Sequence, residues 1–199
     1  MAQLKEITNY CHQVLEVDLY RDYAPNGVQV EGKEEVKKIV SGVTASQALI
    51  DAAIVHKADL LLVHHGFFWK SEPVTITGIK KRRIKSLLDN NISLLGYHLP
   101  LDGHEDLGNN AQLAKLWEVE VCGRFGDGPN GGLGMFAELD KAMTLKDFQQ
   151  KITDSLGRDV MLLEGESTII KRFGWCSGGA QGYIQQAAEL GLRSEEGGV

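Results

Sequence analysis

The hydrophobic pattern of the chain alternates short apolar runs with longer stretches of helical spacing. The run at 60–63 is continuously apolar, which is typical of a strand buried in a parallel sheet. Further strands are predicted at 38–43 and 92–97, with helices at 44–56 and 79–89 between the three strands. Because strands and helices alternate through short connections, the pattern predicts an α/β fold built on βαβ units.

The remaining elements suggest three parts. Helices are predicted at 3–16, 107–117, from Thr144 onwards and up to about Leu190, and strands at 134–139, 159–163 and 170–175. The glycine-rich stretch 122–132 indicates a linker, because its glycines lack the context of a dinucleotide fingerprint. We therefore predict a main α/β lobe at 1–122, a smaller α/β module at 123–168 and the start of a second, incomplete repeat lobe at 169–199.

The last part resembles the first βαβ unit at a constant offset. Three pairs match: Gln47 with Gln181, Ile50 with Ile184, and Ala53 with Ala187. Repeat and coincidence explain this match about equally well. If the repeat is real, a buried strand should begin near Arg193, but the polar segment 193–199 cannot serve as a central strand. The chain is then either a complete, unusual protein or one that has lost its final unit, and we favour the second.

Composition narrows the classes of protein. Hydrophobic residues make up 43% of the chain and charged residues 24%, as in ordinary globular proteins. The net charge of −6 argues weakly against a dedicated nucleic-acid binder, and no apolar run approaches the ~20 residues of a membrane span. Three widely spaced cysteines (Cys11, Cys122 and Cys176) and the absence of a signal peptide predict a cytoplasmic protein.

Two histidines end the central strand and point to metal. Neighbouring strand residues face opposite ways, so His64 and His65 cannot easily chelate one ion. At a strand end that turns through Gly66, both can reach one cavity and serve two ions about 4 Å apart, which would activate water. Asp102 follows the neighbouring strand, and open α/β sheets bind ligands at strand carboxyl ends. We therefore predict a site of His64, His65 and Asp102 for Zn, Fe, Mn or Co.

Three ligands are too few for two well-held ions. Candidates for the deficit are His98, His104, Glu105 and Asp106, although the last three fit an exposed helix start better. His98 is alternatively an acid–base group, because imidazole titrates near neutrality.

Other chemistry has weaker support. Cys176 before Gly178 and Gly179 has the context of an activated thiol, but a buried inert cysteine is the better interpretation. The two glycines alone are weak grounds for a phosphate cradle. The aromatic run 67–69 either covers the end of the sheet or forms a wall over a pocket, and the loop around Pro25 is adequately explained as a surface turn.

Four segments carry a family resemblance. They are Asp-Tyr-Ala-Pro-Asn-Gly-Val-Gln-Val-Glu-Gly at 22–32, Val-His-His-Gly at 63–66, Tyr-His-Leu-Pro-Leu-Asp at 97–102 and Gly-Asn-Asn at 108–110. Together they resemble the Nif-three-like family, the GTP cyclohydrolase I type 2 homologues, and most closely its bacterial YbgI-like branch. The resemblance extends to about Leu192. It implies a Nif-three-like α/β fold, with an internal repeat and a smaller inserted module.

The resemblance also implies a dinuclear divalent-metal site in a toroidal homohexamer. His64, His65 and Asp102 match three of the family's ligands. The remaining ligands are a histidine and a glutamate four residues apart in a carboxyl-terminal segment, and this sequence has no histidine after His104. We therefore expect metal occupancy, catalysis and ring assembly to be impaired.

Two hypotheses follow from the resemblance. The first is a metal-binding protein that acts as a metal-dependent hydrolase on nucleotide-like substrates, with His98 assisting proton transfer. The second is a non-enzymatic, ring-forming assembly or interaction protein with a structural metal site and a link to DNA repair.

Overall fold

A computed structural model describes residues 1–163 and 168–197. The helices in this part are α1 (Leu4–Val14), α2 (Gln47–Val55), α3 (Gly78–Asp89), α4 (Leu99–Gly103), α5 (Asn109–Trp117), α6 (Leu145–Leu156) and α7 (Ile184–Glu189). The strands are β1 (Ala2–Gln3), β2 (Gly27–Val30), β3 (Glu35–Val36), β4 (Ile39–Thr44), β5 (Leu60–His65), β6 (Ser93–Gly96), β7 (Val121–Phe125), β8 (Gly134–Thr144), β9 (Ile169–Ser177) and β10 (Arg193–Gly197). The chain divides into two compact units, Met1–Leu101 and Asp102–Val199.

The first unit is built on a four-stranded sheet in the order β2-β6-β5-β4. β4, β5 and β6 run parallel, and β2 is antiparallel to β6. Helix α2 connects β4 to β5, and α3 connects β5 to β6, so both predicted βαβ units are confirmed. Their parallel strands bring the carboxyl ends of β5 and β6 to the same edge of the sheet.

Both faces of this sheet are covered. Leu61 and Val63 of β5 pack in one cluster with Ile50 of α2 and Leu87 of α3. Leu60 packs in a second cluster that includes Leu4 and Leu15 of the amino-terminal segment. A strand buried on both sides carries apolar residues at successive positions, which explains the uninterrupted run in the sequence.

The second unit contains a four-stranded sheet in the order β10-β9-β8-β7. β9 and β10 run parallel, and the other neighbours are antiparallel. One core cluster joins Trp117 of α5 and Phe148 of α6 to Phe173 and Trp175 of β9. As predicted, α6 begins after Thr144, whose hydroxyl accepts a hydrogen bond from the Asp147 N–H at 3.1 Å.

The order β9-α7-β10 repeats the order β4-α2-β5, with parallel strands in both. A strand thus begins at Arg193, where a repeat would place one, while the expectation that residues 193–199 cannot serve as a central buried strand stays a prediction. β10 pairs with β9 from Arg193 opposite Phe173 to Gly197 opposite Ser177. It lies at the edge of the described sheet, a position that tolerates a polar strand.

Two local predictions are wrong. The glycine-rich stretch 122–132 is not a linker, since it holds most of β7 and the turn into β8. Gly132 has φ +119°, and a Cβ there would lie 2.2 Å from the Phe125 carbonyl oxygen, so the glycines serve a tight connection. The apolar run 159–163 forms no strand, and its Met161 and Leu163 are 86% and 84% exposed.

The predicted division of the chain at 122/123 and 168/169 remains a prediction. The boundary between the two compact units lies between Leu101 and Asp102 in the sequence. In the part of the chain that the structure describes, no helix has the length and apolar character to cross a membrane.

Candidate metal centre

Three histidine rings lie together in the first unit. His64 and His65 end β5, and His98 follows β6. Ring centroids are 4.3 Å apart for His64 and His65, 5.2 Å for His64 and His98, and 5.7 Å for His65 and His98. One nitrogen from each ring lies within 4.8 Å of the others, so this histidine cluster could hold a metal ion.

Each ring is oriented through its Nδ1 atom. In His64, Nδ1 lies 3.0 Å from the Tyr97 carbonyl oxygen, and in His65 it lies 3.2 Å from Oγ1 of Thr44. Since a carbonyl only accepts, the Nδ1–H of His64 donates, and the lone pair of the neutral ring is on Nε2. Metal-binding histidines are usually held in this way, with one nitrogen donating to a protein oxygen. The donor set therefore fits a divalent ion such as Zn²⁺.

The third ring is held by a buried carboxylate that the sequence analysis did not single out. Nδ1 of His98 lies 3.0 Å from Oδ1 of Asp22, whose side chain is 3% exposed. Other donors to Asp22 are the backbone N–H groups of Tyr23, Ala24 and Leu99 and the side-chain amide of Asn26. Burial alone would raise the pKa of Asp22, but these hydrogen bonds, with that from His98 foremost, lower it to about 2. The carboxylate is therefore ionised wherever the protein is near neutral pH.

Asn26 completes this arrangement. Its Oδ1 accepts the backbone N–H of His98 at 2.8 Å, while its Nδ2 donates to Asp22 at 3.0 Å. The loop around Pro25, which we had explained as a surface turn, thus supports His98 from both sides. The signal that could have identified it was its place in the family motif at 22–32.

Aromatic rings border the histidine cluster. The Trp69 ring lies 4.8 Å from that of His98 and 5.8 Å from that of His65. Tyr23, which is 50% exposed, lies 5.1 Å from His98 and 6.0 Å from Trp69. Phe67 is buried in the core at 5% exposure. The aromatic run 67–69 therefore has two roles: Phe67 packs in the core at the end of the sheet, and Trp69 lies beside the histidine cluster.

Asp102 belongs to the second unit and is 7% exposed. Its Oδ1 accepts from Nδ2 of Asn109 at 2.7 Å and from Oγ of Ser177 at 3.4 Å. Asn110 anchors the same strand end, because its Oδ1 accepts the Ser177 N–H at 2.8 Å. The carboxylate is thus fixed by groups from the start of α5 and the end of β9.

The weaker candidates have other roles. His104 Nδ1 accepts the backbone N–H groups of Asp106 and Leu107, at 3.1 and 3.0 Å, and Glu105 and Asp106 are exposed. Burial raises the pKa of Cys176 to about 11, so its thiol is protonated at neutral pH and is not an activated nucleophile. The two glycines are followed by a short 3₁₀ turn, Gln181–Tyr183, and α7 begins only at Ile184.

The chain is similar to known proteins over nearly its whole length. Residues 2–192 match the profile of the Duf34/NIF3 (NGG1p interacting factor 3) family. A protein of Haemophilus influenzae named GTP cyclohydrolase 1 type 2 homolog is 52% identical over 187 residues, which are 94% of this chain and 74% of the relative. A Yersinia pestis protein of the same name is 47% identical over 188 residues, again 94% and 74%.

Solved structures agree. The protein ybgI, described as of unknown function, superposes with a TM-score of 0.92 at 43% identity, covering 99% of this chain and 78% of that one. A Thermus thermophilus protein superposes with a TM-score of 0.79 at 27% identity, covering 96% and 84%. The arrangement of helices and sheets described above is therefore shared with these proteins.

Proposed function

Because the chain belongs to the Duf34/NIF3 family, we propose that it binds divalent metal at its histidine cluster and hydrolyses nucleotide-like substrates there. The observation that carries this proposal is the convergence of three imidazoles within 4.8 Å, with Nδ1 of each at a protein oxygen. Such an arrangement orients Nε2 for ligation in His64 and His65 and for proton transfer in His98, and a purely structural role would not require it in three rings at once.

In this proposal His64, His65 and Asp102 hold two divalent ions. The assignment of the two histidines as ligands is based on the geometry of the cluster. The assignment of Asp102 is based on the match of its segment to the family motif. Imidazole and carboxylate ligands suit Zn, Fe, Mn or Co. When bound, such ions lower the pKa of a coordinated water and polarise a phosphoryl or carbonyl oxygen.

His98 carries a proton in this proposal. The ionised carboxylate of Asp22 accepts the Nδ1–H of His98, which fixes one tautomer of the ring. Nε2 is then the atom that takes up or releases a proton. The ring is 8% exposed, so bulk water competes little for this exchange.

The substrate class rests on the cluster's surroundings. Trp69 and Tyr23 place aromatic rings beside the histidines, and such rings stack on the planar bases of nucleotides. The relatives' name, GTP cyclohydrolase 1 type 2 homolog, points to a purine nucleotide. A homohexameric ring and a cytoplasmic location are the further parts of the proposal, the latter supported by free thiols at Cys11, Cys122 and Cys176.

Metal content and hydrolysis, measured on the same protein, test the proposal. We expect His64→Ala and His65→Ala to lose bound Zn or Mn after equilibration, whereas His56→Ala, which removes an exposed histidine, keeps the wild-type amount. Assays with GTP and simple phosphoesters then report turnover. Unchanged metal content in both cluster variants would refute the site.

His98→Ala separates the roles within the site. Retained metal with lost hydrolysis supports a proton carrier, whereas lost metal would make His98 a ligand. Stoichiometric metal without turnover in the wild-type protein would favour the non-enzymatic assembly protein with a structural metal.

A further inference from the structure

One irregularity in the first unit lies beside the histidine cluster. β2 and β6 pair with Val28 opposite Leu95 and Val30 opposite Leu94, so Gln29 is an extra residue without a counterpart in this register. A bulge of this kind redirects a side chain and often occurs next to a functional site. Here it redirects the side chain of Gln29.

The Gln29 amide joins two segments of the site. Its Oε1 accepts the backbone N–H of Phe67 at 2.6 Å, and its Nε2 donates to the carbonyl of Pro25 at 2.8 Å. Phe67 follows the histidine pair by two residues, and Pro25 lies in the loop whose Asp22 holds His98. One side chain therefore connects the turn after His65 to the support of His98.

Two glycines leave room for this amide. A Cβ at Gly66 would lie 2.1 Å from Oε1 of Gln29, and a Cβ at Gly96 would lie 2.7 Å from its Nε2. Real Cβ atoms do not approach other heavy atoms so closely. Since Gly66 directly follows β5 and Gly96 ends β6, the chain at both strand ends beside the histidines leaves space for Gln29.

We propose that Gln29 is a positioning residue of the metal centre, which sets the turn after β5 so that His64 and His65 face His98. This inference rests on the proposed metal site. The position requires an amide, because it faces a donor at Phe67 and an acceptor at Pro25. A glutamate would keep the first bond but place an anionic oxygen against the Pro25 carbonyl, and a methionine would keep the bulk without either bond.

The metal-free protein gives the first test. We expect the histidine-ring NMR signals of His64, His65 and His98 to shift or broaden in Gln29→Met and Gln29→Glu. Gln150→Met is the matched control, since Gln150 is an exposed residue of α6 that bonds only locally to Asp154 among its described contacts. Histidine signals at wild-type positions in both Gln29 variants, with thermal unfolding also unchanged, would overturn the inference.

Titration with Co²⁺ alone gives the second test. We expect about 10- to 100-fold weaker binding by Gln29→Met and Gln29→Glu and an altered visible Co²⁺ spectrum, with Gln150→Met like the wild type. Gln29→Glu nearly preserves the shape of the side chain but should still bind Co²⁺ less tightly than the wild type. Weaker binding by this variant would show that the amide group, and not only the size of the side chain, is required. Wild-type affinity and spectrum in both variants would refute the inference while leaving the proposed function intact. If the wild-type protein binds no Co²⁺, the proposed function fails, and the NMR result still decides whether Gln29 positions the rings.

Discussion

Nδ1 of His98 lies 3.0 Å from Oδ1 of Asp22, although the two residues are 76 positions apart in the chain. The carboxylate cannot turn away easily, because the backbone N–H of Leu99 and the amide of Asn26 donate to its other oxygen at 2.8 and 3.0 Å. The loop that follows α1 thus determines which nitrogen of His98 carries the proton. The pattern of residues around His98 does not reveal its contact with Asp22, because the contact forms only when the fold brings the loop next to the end of β6.

Asp22→Asn should disturb the tautomer of His98. The asparagine nearly preserves the shape but removes the charge, and its side chain can present N–H₂ as well as oxygen to Nδ1. We expect histidine-ring NMR spectra to show a mixture of His98 tautomers, together with a loss of hydrolysis of about 10- to 100-fold. Asp18→Asn, at an exposed aspartate nearby, is the control and should leave both unchanged. A single wild-type tautomer in Asp22→Asn would contradict the role assigned to Asp22.

Asn109→Ala should weaken metal binding through Asp102. Nδ2 of Asn109 donates to Oδ1 of Asp102 at 2.7 Å, whereas the contact from Ser177 is longer at 3.4 Å. Loss of a hydrogen bond that orients a ligand typically lowers metal affinity by about 10- to 100-fold. We therefore expect a larger loss for Asn109→Ala than for Ser177→Ala in a Zn²⁺ competition assay. Asn90→Ala, at the exposed end of α3, serves as the control, and equal affinity for all three variants would argue against Asp102 as a ligand.

Features of this fold that depend on neighbouring residues could be predicted from the sequence, whereas contacts between residues distant in the chain could not. β5 could be predicted because both of its faces are buried, which requires apolar residues at successive positions such as Leu60 and Leu61. The close approach of its two histidines could be predicted because they end that strand where the chain turns through Gly66, and their binding of metal stays a proposal. The local pattern could not predict a role for Asp22, because its partner His98 is distant in the chain and an aspartate before Pro25 is equally expected in any surface turn; only its place in the family motif at 22–32 was a signal.

Two segments show where the hydrophobic pattern stops being informative about strands. β10 is held by backbone pairing at the edge of its sheet, a force that leaves no hydrophobic pattern in residues 193–197. Conversely, 159–163 has the apolar composition of a strand but forms none: Val160 packs against a core cluster, whereas Met161 and Leu163 are exposed. Apolar composition alone therefore predicts neither burial nor strand pairing in these segments, because both depend on which neighbours the rest of the fold provides.

Gly96→Ala should destabilise the wild-type protein and do so less in a Gln29→Ala background. The three atoms nearest to a Cβ at Gly96 all belong to the Gln29 side chain, at 2.7 to 3.6 Å. A clash with one partner predicts a coupling free energy of about 0.5–3 kcal/mol in a double-mutant cycle measured by urea unfolding. Gly182→Ala is the control, because a Cβ at Gly182 would have open space and its φ is not positive. Gly157 is unsuitable, since its φ of +65° would strain an alanine. Additive effects of the two substitutions would mean that Gln29 does not occupy that space.

Asp59 ties the segment before β4 to the start of β5. Its carboxylate accepts from Nζ of Lys33 at 2.8 Å and from the backbone N–H groups of Lys37 and Lys38 at 3.0 and 3.1 Å. The hydrogen bond from Lys33 is the largest influence on the Asp59 pKa and, with the backbone donors, outweighs burial, so that the pKa is lowered. Only the ionised form accepts all three bonds, which makes this connection dependent on pH.

Asp59→Asn should therefore destabilise the protein at neutral pH and matter less in acid. A carboxyl whose pKa is lowered on folding contributes stability that is fully present above its unfolded pKa of about 3.9 and is lost as pH falls through the folded pKa. At pH 7 we expect the free energy of unfolding to fall by about 1–3 kcal/mol, because two partly buried backbone hydrogen bonds and the bond from Lys33 lose their charged acceptor. Urea unfolding from pH 7 down to pH 3 should show the difference from the wild type shrinking below pH 4. Asp89→Asn removes an exposed pair with Lys85 and should cost only about 0.3–0.5 kcal/mol. A difference for Asp59→Asn that stays constant down to pH 3 would mean that the Asp59 charge does not make this connection.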